Sequence, residues 1–347
     1  MAELTSVMAN SPGGTRSRPA QALRWLLFSD YLVLALTVLY VAALWPFVPE
    51  IISPTNLTDI FLQVLPLFIA ALGLMMVLMV AQIDLSATSI MAMGCVVGAS
   101  IMTSEGGYLA GSPMAPVAAV IAFIVVGLLI GLLNGVCVTA FEMPSFLVTL
   151  TTMMFFSGSA VWYTAAHTNS GSSIGSLPPA FLAVGYGGIG GVPYAAIVTV
   201  ALAVAVHIVL TRTVFGRWLQ AVGLNPSAAA ISGVPVTAVI VAAFVLSGLF
   251  SSFAAIIYTA RLEAGTPILG QRILLDVIGA AVIGGVSLFG GKGKVIGVLF
   301  GVLFLSVVDN GLQLLGLSLS SVYAIKGGVI LFAAVTDAIR HKLIAGG

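Results

Sequence analysis

The chain has 347 residues, of which 60% are hydrophobic and only 7% charged, with a formal net charge of +1 and a mean hydropathy of +1.19. Soluble domains carry about 25% charged residues; a surface this poor in charge must face lipid, and the near-neutral balance gives no reason to expect nucleic acid as a partner. Cys95 and Cys137 lie in apolar runs, and His167, His207 and His341 are scattered, so no disulfide framework, metal site or catalytic set is expected.

Residues 1–24, rich in Ser, Pro, Gly and Arg, read as a disordered cytoplasmic tail. A single all-α transmembrane domain is expected over 25–342, with 343–347 as a second short tail. A helix needs about 20 mostly apolar residues to cross the hydrocarbon core. Ten segments qualify approximately: Tyr31–Val48, Leu57–Ala81, Ala87–Thr103, Pro116–Ala140, Ser145–Ala166, Val192–Thr211, Pro235–Tyr258, Ile273–Phe289, Val295–Leu315 and Ser320–Ile339. The first lacks a polar cleavage region and reads as an uncleaved helix. With the N-terminus inside, Arg16, Arg18, Arg24, Arg212, Arg217, Lys292, Lys294, Arg340 and Lys342 fall in inner segments, against Arg261 and Arg272 outside. The positive-inside rule therefore puts both termini in the cytoplasm. Spans 1–5 and 6–10 form two hydropathic halves, which their odd span count would set upside-down to each other.

Between spans 2 and 3, "AQIDLSAT" places Asp84 and Ser86 before a helix, where either can accept from its orphan N–H groups. A direct role in binding an ion or solute is the alternative. Spans 3 and 8 are both short and glycine-interrupted, at corresponding places in the two halves. Broken helices border transporter cavities; small residues also let central helices pack closely. On the cavity reading, the translocation pathway is lined by Asp84, Ser86, Asn134, Ser145, Phe146, Thr149 and Asp276. For the serines and threonines, bonding back to their own helix is the plainer option. His207, within span 6, is either a helix-packing residue or a proton or ligand group.

The longest polar inner segment, "FGRWLQAVGLNPSAAAISGVPV", joins spans 6 and 7. Asn225 suits an N-cap, Pro226 the first helical position, and Gly233 a helix end that Pro235 keeps from extending. A short helix on the inner face is expected, with Ala228, Ala229 and Ala230 as a low-relief surface for another protein's groove.

"GGVSLFGGKGKVIG", from Gly284 to Gly297, looks at first like a phosphate-binding loop. The pattern G-x-x-x-x-G-K-[ST] fails in every register: Gly291 stands where the lysine belongs, and Lys292 is followed by Gly293 rather than a hydroxyl. The stretch reads instead as a tight inner turn between spans 8 and 9. Beyond it, Asp309 and Lys326 fall at similar depth on either side of the outer turn "LLGLSLS", and an intramembrane ion pair is expected because an unpaired charge there is costly.

Several of these stretches together are similar to one family, the permease subunits of bacterial ATP-binding-cassette importers of the ribose/xylose type. The resemblance lies in "QIDLSATSI", "GLLNG" with "MPSFLVTLTTM", "GRWLQAVGLNPSAAAISGV", "VIGGVSLFGGKGKVIGVLFGVLF" and "DNGLQLLGLS", in order from about Leu57 to Ala338. It implies a type II importer-like fold in the bacterial inner membrane and a homodimer or a heterodimer with a related permease. It also implies cytoplasmic ATP-binding subunits that hold the ATP and magnesium, and an extracytoplasmic solute-binding protein that delivers a sugar or related polyol. Gly216, Arg217, Gly223, Asn225, Pro226, Ala228, Ala229, Ser232 and Gly233 would then form the coupling site for the ATPase. The competing expectation is an ion-coupled carrier of a small polar solute, using Asp84, Asp309 or His207.

Overall fold

The computed structural model describes residues 31–168, 172–270 and 273–345. The tail expected at 1–24, Arg272 and the last two residues lie outside that range.

Helix α1 (Leu32–Leu44) is followed by a 3-10 turn (Pro49–Ile52) and α2 (Pro54–Met79). Ser53 caps α2 by accepting the Asn56 N–H at 3.3 Å, and Pro54 occupies its first position. Then come α3 (Ala87–Met102), α4 (Ala115–Ala140), α5 (Ser145–Thr168) and α6 (Pro179–Tyr186). A two-stranded hairpin, β1 (Gly188–Ile189) and β2 (Val192–Pro193), leads into α7 (Tyr194–Arg212), α8 (Val214–Leu224) and α9 (Pro226–Ile231). The chain closes with α10 (Val236–Leu262), α11 (Leu274–Ile283), α12 (Val295–Leu314) and α13 (Leu319–Ala345).

Among the described residues, six helices are long and apolar enough to cross a membrane: α2, α4, α5, α7, α10 and α12. Shorter apolar helices sit at the other four expected positions, namely α1, α3, α11 and the Leu319–Ala333 part of α13. The protein is thus an all-α polytopic membrane protein apart from the small hairpin. Two spans are shorter than expected. Pro46 has no N–H with which to continue α1 beyond Leu44, and Val48, just before Pro49, has left helical backbone at φ −139 and ψ 80. The Gly284–Gly285 pair, with Gly285 at φ +84, stops α11 at Ile283 although apolar residues continue to Phe289.

Helix α2 is central: 83% of its apolar window is buried, against 28% for α4 and 22% for α5, whose outward faces meet lipid or a partner. Helix α10 lies along both α4 and α2. Gly127 and Gly131 of α4 allow this, because a Cβ there would stand 2.3 Å from the Gly248 carbonyl and 2.5 Å from that of Phe244. Between α5 and α7 the chain forms α6 and the hairpin; Pro179 starts the helix, and Gly190 and Gly191 turn the hairpin with positive φ.

Candidate functional site

At the C-terminal end of α7 the chain does not go straight into a loop. Thr213 caps α8 by accepting the Gly216 N–H at 3.3 Å, and Gly216, Leu219, Val222 and Gly223 form its buried face. The backbone then breaks at Asn225, whose Oδ1 accepts the Ala228 N–H at 3.0 Å and starts α9 with Pro226 in first position. The far end closes with the Gly233 N–H donating to the Ala230 carbonyl (2.9 Å) and the Val234 N–H to that of Ala229 (3.0 Å). Gly233, at φ +82, supplies the left-handed residue that this closure needs.

The nine residues expected on this surface divide. Arg217, Asn225, Pro226, Ala228, Ser232 and Gly233 are exposed. Ala229 is turned inward, and Gly216 and Gly223 are buried against the protein's own backbone, so these three are packing positions and not docking contacts. A Cβ on Gly216 would meet the Val209 carbonyl at 2.3 Å. Sequence reasoning missed Leu224 and Ile231, which project at 69% and 90% exposure beside the alanines. The available signal was two bulky apolar residues, one just before and one ending a short helix on a polar segment.

Gly223 sits on a junction of three backbones. A Cβ there would lie 1.8 Å from the Met79 carbonyl oxygen and 2.4 Å from the Gly291 nitrogen. The Gly291 N–H donates to the Met79 carbonyl at 2.8 Å, capping α2. Gly290 and Gly291 hold φ values of +88 and +75, which let the 284–294 turn approach this closely. The glycine-rich stretch thus serves backbone packing, and the Gly291 N–H is already engaged.

The break between α2 and α3, residues 80–86, is gripped from several sides. The Ile83 N–H donates to Ser145 Oγ at 3.1 Å, and Thr149 Oγ1 donates to the Ile83 carbonyl at 3.2 Å. Asp84, 1% exposed, accepts the Ser86 N–H (2.9 Å) and Ser86 hydroxyl (2.6 Å) on Oδ1, and the Ser247 hydroxyl (2.7 Å) on Oδ2. Asn134 Nδ2 donates to Ser86 Oγ at 2.7 Å. Three donors therefore converge on one carboxyl group, and a fourth steadies the serine that supplies two of them. Asp84, Ser86, Asn134, Ser145 and Thr149, considered for a pathway, are buried and bound into this break, which they tie to α4, α5 and α10. Phe146 is 53% exposed on the outside of α5.

Where the start of α11, the later turns of α12 and the start of α13 meet, Lys326 Nζ lies 2.7 Å from Asp276 Oδ1 and 2.9 Å from Asp309 Oδ1. Gln313 Nε2 donates to the other Asp309 oxygen at 2.6 Å. Asp276, assigned to the pathway by sequence, is thus a partner of the buried ammonium. Exposed His207 borders an apolar groove of about 700 Å³ beside Phe68, Leu299 and Phe300. No group of three or more His, Cys, Asp or Glu side chains suits a metal among the described residues.

Residues 56–334 match the family model described as the permease component of branched-chain amino acid transport systems. The chain belongs to this permease family, whose members are transport subunits and not enzymes. The ribose import permease protein of Bacillus subtilis is 36% identical over 291 residues, covering 83% of this chain and 86% of that one. The L-arabinose ABC transporter permease protein of Azospirillum brasilense is 31% identical over 318 residues, covering 92% and 90%. The galactose/methyl galactoside import permease protein of Salmonella typhimurium is 33% identical over 302 residues, covering 84% and 89%. No solved structure matches.

Proposed function

We propose that the chain is the membrane-spanning subunit of an ATP-binding-cassette importer that moves a sugar or related polyol across the bacterial inner membrane. It crosses ten times, keeps both termini in the cytoplasm, and works as a homodimer or beside a related permease. Cytoplasmic ATPase subunits hold ATP and magnesium, and an extracytoplasmic solute-binding protein delivers the sugar. The observation that carries this reading is α9, a doubly capped helix whose outward side chains are small except for Leu224 and Ile231 at its edges. A carrier acting alone has no use for such a docking surface. The sugar class is supported by relatives named for ribose, L-arabinose and galactose.

In this mechanism the ATPase subunits seat α9, and their closure on ATP displaces it. That movement shifts the permease between outward and inward access, a rigid-body coupling of two sites. The buried network around Asp84 frames the pathway, while Lys326 with its two aspartates ties the outer ends of three helices. An ion-coupled carrier finds little support, since Asp309 is engaged by Lys326 and Asp84 by three donors. The test is uptake into vesicles holding the permease, its ATPase and its binding protein. Sugar should accumulate only with ATP inside; accumulation by the permease alone under a proton gradient would favour the carrier.

A further inference from the structure

We propose that Gly223, the Met79 carbonyl and the Gly290–Gly291 turn form one rigid joint through which displacement of α9 reaches the α2–α3 break. This rests on the importer reading above. The three strands of backbone meet without intervening side chains: Gly223 has no room for a Cβ, and the Gly291 N–H closes on Met79 at 2.8 Å. Gly290 is equally confined, with its Cβ position 2.7 Å from the Gly223 carbonyl and 2.9 Å from the Ala81 Cβ. Side chains absorb small displacements by changing rotamer, whereas backbone in direct contact must move with its neighbour. Helix α8, the end of α2 and the turn before α12 therefore move as one body.

The segment immediately beyond Met79 makes the joint a transmission point. Ala81, at φ +57, turns the chain out of α2. Two residues on, both backbone polar groups of Ile83 are held by Ser145 and Thr149 of α5. The next residue, Asp84, engages the start of α3 and Ser247 of α10. A shift of Gly223 thus reaches α2 directly, and α3, α5 and α10 through the short break after it. Gly223, Gly290 and Gly291 are positioning residues for transport: they touch neither solute nor ATP.

A covalent link tests this in the reconstituted importer. The Cβ position of Gly291 lies 2.6 Å from Leu224 Cγ, so Leu224→Cys with Gly291→Cys stands within disulfide reach. If the joint moves as one body, ATP-driven uptake by this double-cysteine importer is the same oxidised as reduced, whatever its level relative to the wild type. Uptake blocked by oxidation and restored by reductant would overturn the proposal, and so would failure of the pair to link. Gly223→Ala supplies a second reading: ATP hydrolysed per sugar transported should rise about tenfold, since coupling has been loosened. An unchanged ratio in membrane-inserted Gly223→Ala would also overturn it, and if that variant does not accumulate the cysteine pair decides alone. Should the wild-type complex show no ATP-driven uptake, the importer reading fails, and not the joint specifically.

Discussion

Lys326 faces two carboxylates, and its side chain is only 6% exposed while those of Asp276 and Asp309 are 18% and 24% exposed. Removing one member of a buried ionic group costs about 3–5 kcal/mol because the remaining charge loses its compensation. Lys326→Met leaves two adjacent carboxylates and should sharply lower the amount of protein in the membrane, read by quantitative blotting. Asp309→Asn keeps Asp276 for the ammonium and should lower it less; equal losses would contradict a three-member group. The proximity of Asp309 to Lys326 was legible because helix rise can be counted down both sides of the turn they share. The place of Asp276 was not, since nothing in a sequence gives the distance between the eighth and tenth spans. Asp84 illustrates the same limit. Its position before a helix suggested local capping, and it does accept the Ser86 N–H, but its second oxygen serves Ser247, 163 residues away. Each polar group left without a buried partner costs about 1–3 kcal/mol. Asp84→Ala should therefore lower the unfolding temperature in detergent markedly, and Asp84→Asn, which retains an acceptor, less. Equal melting of both variants and the wild type would remove the network from the stabilising interactions.

At the scale of elements, α9 was readable because its signals are local. Asn225, Pro226 and Gly233 each occupy the position that their chemistry favours. Gly233→Val forces a β-branched side chain into left-handed backbone, at a cost of about 1–2 kcal/mol, and should fray the helix end. Ala228→Trp leaves the caps intact and instead fills the exposed surface. Both should reduce ATP-driven uptake while the protein still inserts; for Ala228→Trp, full uptake with normal accumulation would show that this face meets no partner. Helix α8 was hidden because it comes one residue after α7 and reads as part of one polar segment. Its buried Gly216, Leu219, Val222 and Gly223 carry the helical spacing that would have revealed it. The lengths of α1 and α11 were overestimated for a related reason: hydropathy counts apolar residues, whereas proline and paired glycines decide where hydrogen bonding stops.

For the whole molecule, composition alone required lipid around the chain, and hydropathy located ten apolar segments on which the structure places six long and four shorter helices. The family was legible from ordered stretches spread between about Leu57 and Ala338. What no count of apolar residues conveys is that α2 lies at the centre, or that its C-terminal end touches both the α8 backbone and the glycine turn. The most direct test of energy entry at α9 is labelling of Ser232→Cys with a membrane-impermeant maleimide, in a Cys137→Ser background. Ser232 is exposed at the end of α9, and Cys95 is buried. Labelling should occur in inside-out vesicles, fail in right-side-out vesicles, and be blocked once the ATPase subunit is bound. Reaction from the outer face, or undiminished reaction in the presence of the ATPase, would contradict a cytoplasmic docking helix.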